Sequence, residues 1–213
     1  MSFSANCPGC GAPVRFAFSS AVQTACPFCK AIIVRNDVNL EKVGEVADLP
    51  EDASPIQIGT EGVFNNKNFL VVGRIVYSWE QGRWNEWHLA FSDGVSGWLS
   101  DAQLEYAISF HANPPAPLPG AGEIRPGHVF QFQNAQYMAT TLTEARYEGF
   151  QGELPFTTKD REAYPFVDLR TTDARFGTID YTEEPPLLFL GWSVDYAALK
   201  LRNVREFEGW PVA

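Results

Sequence analysis

Two Cys-Pro-X-Cys turns, Cys7 with Cys10 and Cys26 with Cys29, constrain this chain more than any other feature of it. The spacing is C-x2-C, fifteen residues, then C-x2-C. Two such turns aim four sulfurs at one centre, and zinc accepts four thiolates tetrahedrally at about 2.3 Å from each. Pro8 and Pro27 fix the entry to each turn. Gly11 follows the first pair, where backbone amides must turn toward sulfur, and Lys30 holds the equivalent place after the second. The pattern predicts one structural Zn2+ per chain, with Cys7, Cys10, Cys26 and Cys29 as its ligands. Four protein ligands leave no open position for water or substrate, so the ion is expected to staple the fold, and no catalytic role is assigned to it. All four cysteines lie within the first 29 residues, and in a reducing cytosol this arrangement reads as a metal site before it reads as a disulfide framework.

Charge divides the chain in the same place. The net charge is −10, yet residues 1–36 carry Arg15, Lys30 and Arg35 and no carboxylate, so the remainder holds −10 − 3 = −13. An acidic body repels phosphate backbones and anionic lipid, which leaves any nucleic-acid binding to the N-terminal module alone. The first residues lack the charged start and apolar run of a secretory signal, and no window approaches the roughly 20 apolar residues of a membrane span. The expectation is a cytoplasmic protein.

Beyond the module the chain reads as mostly β. Val14 to Phe18 and Ala31 to Arg35 form short strands after each knuckle, which makes residues 1–36 a zinc ribbon. Residues 37–55 are acidic, broken by Pro50 and Pro55, and read as a connector. In FLVVGRIVYSW, alternate positions Phe69, Val71, Gly73, Ile75, Tyr77 and Trp79 make one apolar face. Turn residues at Gln81-Gly82 and Asp93-Gly94 extend this into an antiparallel meander over 56–111, with a weak helical possibility near Asp101 to Tyr106. Prolines and small residues over 112–123 mark a linker, and a second β domain occupies 124–213 with a C-terminal tail.

The second β domain repeats the first. At an offset of 68, Ile56, Gly59, Phe64, Asn66 and Phe69 align with Ile124, Gly127, Phe132, Asn134 and Tyr137. After an insertion of 12 residues, Trp87, Leu89, Gly97 and Leu99 align with Val167, Leu169, Gly177 and Ile179. The expected architecture is therefore a four-cysteine ribbon followed by two small antiparallel SH3-like or open-barrel domains, related by duplication, with a loop or extra hairpin around 151–164 peculiar to the second.

The string WNEWHLAFSDG holds the candidate interaction surface. On a strand Trp87, Leu89 and Phe91 face the core, so Trp84, Glu86 and His88 share the opposite face. If that face is exposed it presents a tryptophan, a carboxylate and an imidazole; the plainer reading pairs Glu86 with Arg74. Trp210, fourth from the end, is the second candidate anchor. No Ser-His-Asp order, P-loop or glycine-rich dinucleotide turn is present, and no catalytic residue is assigned.

CPGCGAPVRF, CPFCKAIIVR, DASPIQIGTEG and above all VVGRIVYSWEQGRWNEWHLAFSDGVSGWLS resemble the bacterial domain-of-unknown-function family numbered 4178. The resemblance runs over nearly the whole chain and implies a zinc ribbon with duplicated β units. It also implies an accessory role in an envelope-stress or membrane-associated assembly, at the inner membrane through a partner, and it brings no activity. Taken together the residues and the resemblance favour a non-enzymatic zinc-ribbon adaptor or scaffold that binds other proteins. Nucleic-acid binding through Arg15, Lys30 and Arg35 is the alternative, and an enzyme at a cleft between the β domains, using Glu86 and His88, is the third reading.

Overall fold

The computed structural model describes residues 3–36, 39–46, 49, 53–158 and 162–207. Among them there is no α-helix, only two 3-10 turns, Ala121–Glu123 and Tyr196–Leu199. The N-terminal module consists of β1 (Phe3–Asn6), β2 (Pro13–Phe16), β3 (Gln23–Ala25), β4 (Ala31–Asn36) and β5 (Asn39–Glu45). The first half of the body consists of β6 (Glu61–Phe64), β7 (Lys67–Trp79), β8 (Gly82–Phe91), β9 (Ser96–Ala102) and β10 (Glu105–Ala112). The second half consists of β11 (Val129–Phe132), β12 (Ala135–Leu154), β13 (Ala163–Arg170), β14 (Arg175–Asp180) and β15 (Leu187–Val194).

Each half is an antiparallel meander joined by tight turns. Asn65 and Asn66 both have positive φ (49° and 60°), as do Gln133 and Asn134 (45° and 60°) at the matching turn of the second half. Two consecutive left-handed residues make the hairpin turn whose twist fits that of the flanking strands. Gln103 and Leu104 do the same between β9 and β10, which replaces the weak helix expected there. The two halves share backbone bonds as well: Gly59 N–H donates to Val71 O and Gly127 N–H to Ala139 O, each at 2.8 Å, and Val71 N–H to Thr60 O matches Ala139 N–H to His128 O, again at 2.8 Å.

The two halves do not form separate small barrels. Strand β10 pairs with β15 and β7 with β12, so that β7, β8, β9, β10, β15, β14, β13 and β12 close one antiparallel ring. The reason lies in the length of β12, whose 20 residues outrun its own hairpin and pair with β7 before reaching the module. At that seam Gly73 stands opposite Gly152. A Cβ on Gly73 would sit 2.0 Å from Glu153 O, and one on Gly152, whose φ is +70°, would sit 2.3 Å from Val72 O. Only glycine at both positions lets the strands approach this closely.

Alternation along each strand then gives the ring two buried faces. One face carries two separate cores, the first built on Phe69, Val71, Trp87, Leu89 and Ile108, the second on Tyr137, Ala139, Val167, Leu169 and Ile179. The opposite face carries Ile75, Tyr77, Trp98, Phe150 and Phe166. The single apolar face expected on β7 is accordingly split. Register slips by one residue between Val71 and Gly73, sending Phe69 and Val71 to the first core and Ile75 and Tyr77 to the other side.

The connectors are more ordered than their composition suggests. Residues 39–45 of the acidic stretch pair with β4 as β5. In the proline-rich stretch Leu118 packs on the second core and Pro119 O accepts a 2.8 Å bond from Tyr181 Oη.

Candidate functional site: a metal cluster and a ring-lined cavity

The two knuckles have the same local geometry. Cys7 N–H donates to Ala12 O at 2.8 Å and Cys26 N–H to Ala31 O at 2.9 Å, and the returning amides of Gly11 and Lys30 bond to Cys7 O and Cys26 O. Gly11 (φ +76°) and Lys30 (φ +58°) occupy the same left-handed position, so a lysine stands where the turn favours glycine. The sulfurs converge: Cys7 to Cys29 is 3.7 Å, Cys10 to Cys26 is 3.8 Å, and all four lie within 4.8 Å of one another. Tetrahedral thiolates at about 2.3 Å from a metal would stand about 3.8 Å apart. The four cysteines could hold one metal ion, and the donor set, four sulfurs with Gly9 N–H at 3.3 Å from Cys7 Sγ, suits zinc.

The module docks on the ring through the far end of β12. Thr24 and Gln23 pair with Glu153 and Leu154. The Glu153 carboxylate accepts the backbone N–H groups of Ala17 at 2.7 Å and Phe18 at 2.9 Å. The Gln23 side chain bonds Thr158 twice, at 2.9 and 3.0 Å, which ties the module to the stretch inserted in the second half. Of the three basic residues offered for nucleic acid, Arg35 is engaged internally: it donates to Ser19 O at 2.7 Å and lies over the rings of Phe3 and Phe16.

The ring encloses a cavity of about 280 Å³ to which every one of its eight strands contributes. From the first half come Tyr77, Glu86, Ser100 and Ser109; from the second come Tyr147, Phe166, Asp180 and Phe189. Residues 156–158 of the inserted stretch, with Thr182 and Glu183, complete the lining outside the strands. Aromatic side chains pack in two groups at the cavity: Tyr77 stacks on Trp84 at 5.2 Å and Phe166 meets both at 5.1 and 5.7 Å, while Trp98 meets Phe156 at 5.8 Å.

Here the candidate face of β8 changes meaning. Trp84, Glu86 and His88 do share a face, but it is the inner face of the ring and not a free surface. Glu86 lines the cavity, both of its oxygens accept from Ser100 Oγ at 2.9 Å, and one accepts from Trp84 Nε1 at 3.0 Å. Enclosure by protein pushes its carboxyl up to about 8, against the lowering effect of those hydrogen bonds. Its exposed area is intermediate because it opens on the cavity. Arg74 is not its partner. The register slip places Arg74 on the other face, where it bonds Asn85 Oδ1 at 2.7 and 2.9 Å and lies over Trp87.

His88 is fully buried, with Nδ1 at 2.9 Å from Glu153 O and Nε2 at 2.7 Å from Ser96 Oγ. Burial depresses its pKa to about 4, so the ring is a neutral structural link between β8, β12 and β9 and does not line the cavity. Trp210 lies outside the described residues. The remaining polar cavity groups, Ser109, Thr178 and Asp180 among them, escaped sequence reasoning. Their only local signal is alternation with apolar neighbours such as Ile179, which an open sheet would assign to its wet side.

No helix among the described residues is long and apolar enough to cross a membrane. No curated protein and no solved structure matches the chain. The model of the family described as Domain of unknown function (DUF4178) matches residues 57–196, which takes in the whole closed ring, and the chain belongs to that family.

Proposed function

We propose that this protein is a small-molecule receptor in which the eight-stranded ring holds one ligand and a zinc-bound module braces the ring at its β12 end. The observation that carries this reading is the cavity of about 280 Å³ lined by all eight strands. Eight-stranded rings have interiors just wide enough for side chains or one small ligand. Where side chains stop short, as at Ser100, Ser109 and Thr178, the space left is close to nine water volumes at about 30 Å³ each. The two five-strand segments read as copies of a duplicated unit, with residues 112–123 as the join between repeats and not between independent barrels.

Native mass spectrometry of protein purified from its own cells tests the receptor reading. The expected result is a released small molecule from the wild type and none from Ser109→Leu, whose larger side chain narrows the cavity, with the melting curve of the variant checking that it folds. Finding neither a released molecule nor binding of any small aromatic probe would overturn it.

The adaptor role has one observation of its own. Phe28, between the cysteines of the second knuckle, is 68% exposed. A large apolar side chain held out on a metal-stapled turn suits a protein partner, and a receptor that shows Phe28 to such a partner would act as a ligand-dependent adaptor. Phe28→Ser should leave zinc content and melting temperature unchanged and weaken capture of that partner.

A further inference from the structure

We propose that the cavity binds a small organic cation, with its ammonium group against the Glu86 carboxyl and the Tyr77 ring and its hydrocarbon part on Ile75, Phe166 and Phe189. This rests on the reading of the ring as a receptor and names the chemistry of its ligand. Three carboxyl groups line the space, Glu86, Asp180 and Glu183. Seven of the other lining residues are aromatic, among them Tyr77, Tyr147, Phe166 and Phe189, and six are serine or threonine. Carboxylate beside aromatic faces is the combination that attracts an ammonium group, since the ring face is the negative end of its quadrupole.

The state of Glu86 supports this. Its hydrogen bonds come from neutral donors, Ser100 and Trp84, and the nearby charges that act on it, Asp168 and Asp180, both oppose its ionisation. The titratable groups that line the cavity with it are Tyr77 on β7, Tyr147 on β12, Tyr164 on β13, Asp180 on β14 and Glu183 after β14, and Asp168 on β13 lies close enough to act on it. Asp168, likewise enclosed, is pushed up by burial against its bond from Thr178 Oγ1. Without a ligand the carboxyl stays protonated near neutral pH. A cation beside it favours the ionised form, so binding should expel the Glu86 proton to solvent.

Three matched probes test the proposal: benzyltrimethylammonium, its neutral isostere neopentylbenzene, and phenylacetate. The ammonium probe has no proton of its own, so any proton released on binding comes from the protein. Tryptophan fluorescence titration of the full chain should show the ammonium probe binding at least tenfold more tightly than the isostere, with phenylacetate weakest. The ammonium affinity should rise from pH 6 to pH 9. Calorimetry at pH 7 in two buffers of different ionisation heat should count close to one proton released. Glu86→Gln keeps the size of the side chain and should lose at least tenfold in ammonium affinity while leaving the isostere unaffected. Equal or tighter binding of the isostere or of phenylacetate would overturn the cation and leave the receptor intact, and ammonium binding with no proton released by the wild type would overturn its placement against Glu86. If none of the three binds, the cation falls, and the receptor reading falls with it when native mass spectrometry also releases no molecule.

Discussion

Glu86 shows how a single residue can report on the whole ring. Folding raises its pKa from the ordinary 4.5 to about 8, so the folded chain holds a proton that the unfolded chain releases. Its contribution to stability is complete below about pH 4.5 and is lost as pH rises toward 8, at about 1.4 kcal/mol per pH unit. His88 acts in the opposite sense, since its pKa falls from 6.5 to about 4 and stability is lost as pH drops through that window. Glu86→Gln isolates the first effect. Its melting temperature should exceed that of the wild type by a margin that grows from pH 5 to pH 8, and parallel curves would show that the carboxyl ionises freely in the folded chain. On the other face of the same strand Trp87 is 1% exposed. Trp87→Ala should destabilise by about 3 to 5 kcal/mol in denaturant melts, and Trp84→Ala, which removes the ring stacked on Tyr77, by less.

The element that organises the molecule is β12. It pairs with β13 in its own half, with β7 across the seam and with β3 of the module. Gly152→Ala would press a methyl group against Val72 O and force a left-handed alanine, and the expected cost is about 3 kcal/mol. One residue further, Glu153→Ala would leave the amides of Ala17 and Phe18 without their acceptor, at about 2 kcal/mol or more. Hydrogen exchange separates the two. The glycine variant should speed exchange in β7 and β12, whereas the glutamate variant should speed it mainly in residues 13–36; the same pattern from both would show that module and ring open as one unit.

At the scale of the whole molecule the ring closes through its own strands, and the module leans on it through β3, Glu153 and Thr158. Metal removal should therefore act on the module first. Freshly purified reduced protein should contain one zinc per chain, and chelation or Cys7→Ser should unfold residues 3–36 while the ring keeps its cooperative melt. Elemental analysis and two-probe thermal melts check both parts. Loss of the ring's transition on chelation would show that β3 is needed to hold the far end of β12 in place.

The four-cysteine cluster and the local strands were legible in the sequence because both are set by neighbours. Two Cys-Pro-X-Cys turns aim their sulfurs whatever the rest of the chain does, and period-two alternation placed Trp87, Leu89 and Phe91 on one side and Trp84, Glu86 and His88 on the other. Alternation says which residues share a face and nothing about what covers it. The face of β8 with Trp84 and Glu86 reads locally as a candidate free surface, and the sequence leaves open whether the two β segments share a sheet, because the closing contacts join residues far apart in sequence: Ser109 to Gly191, and Gly73 to Gly152. Ring closure turned Glu86 and Asp180 from surface carboxylates into the lining of a cavity. The sequence by itself determined the knuckles, the strands and their two faces; only the tertiary structure decided that the second face is an interior, since that depends on long-range pairing that no local spacing encodes.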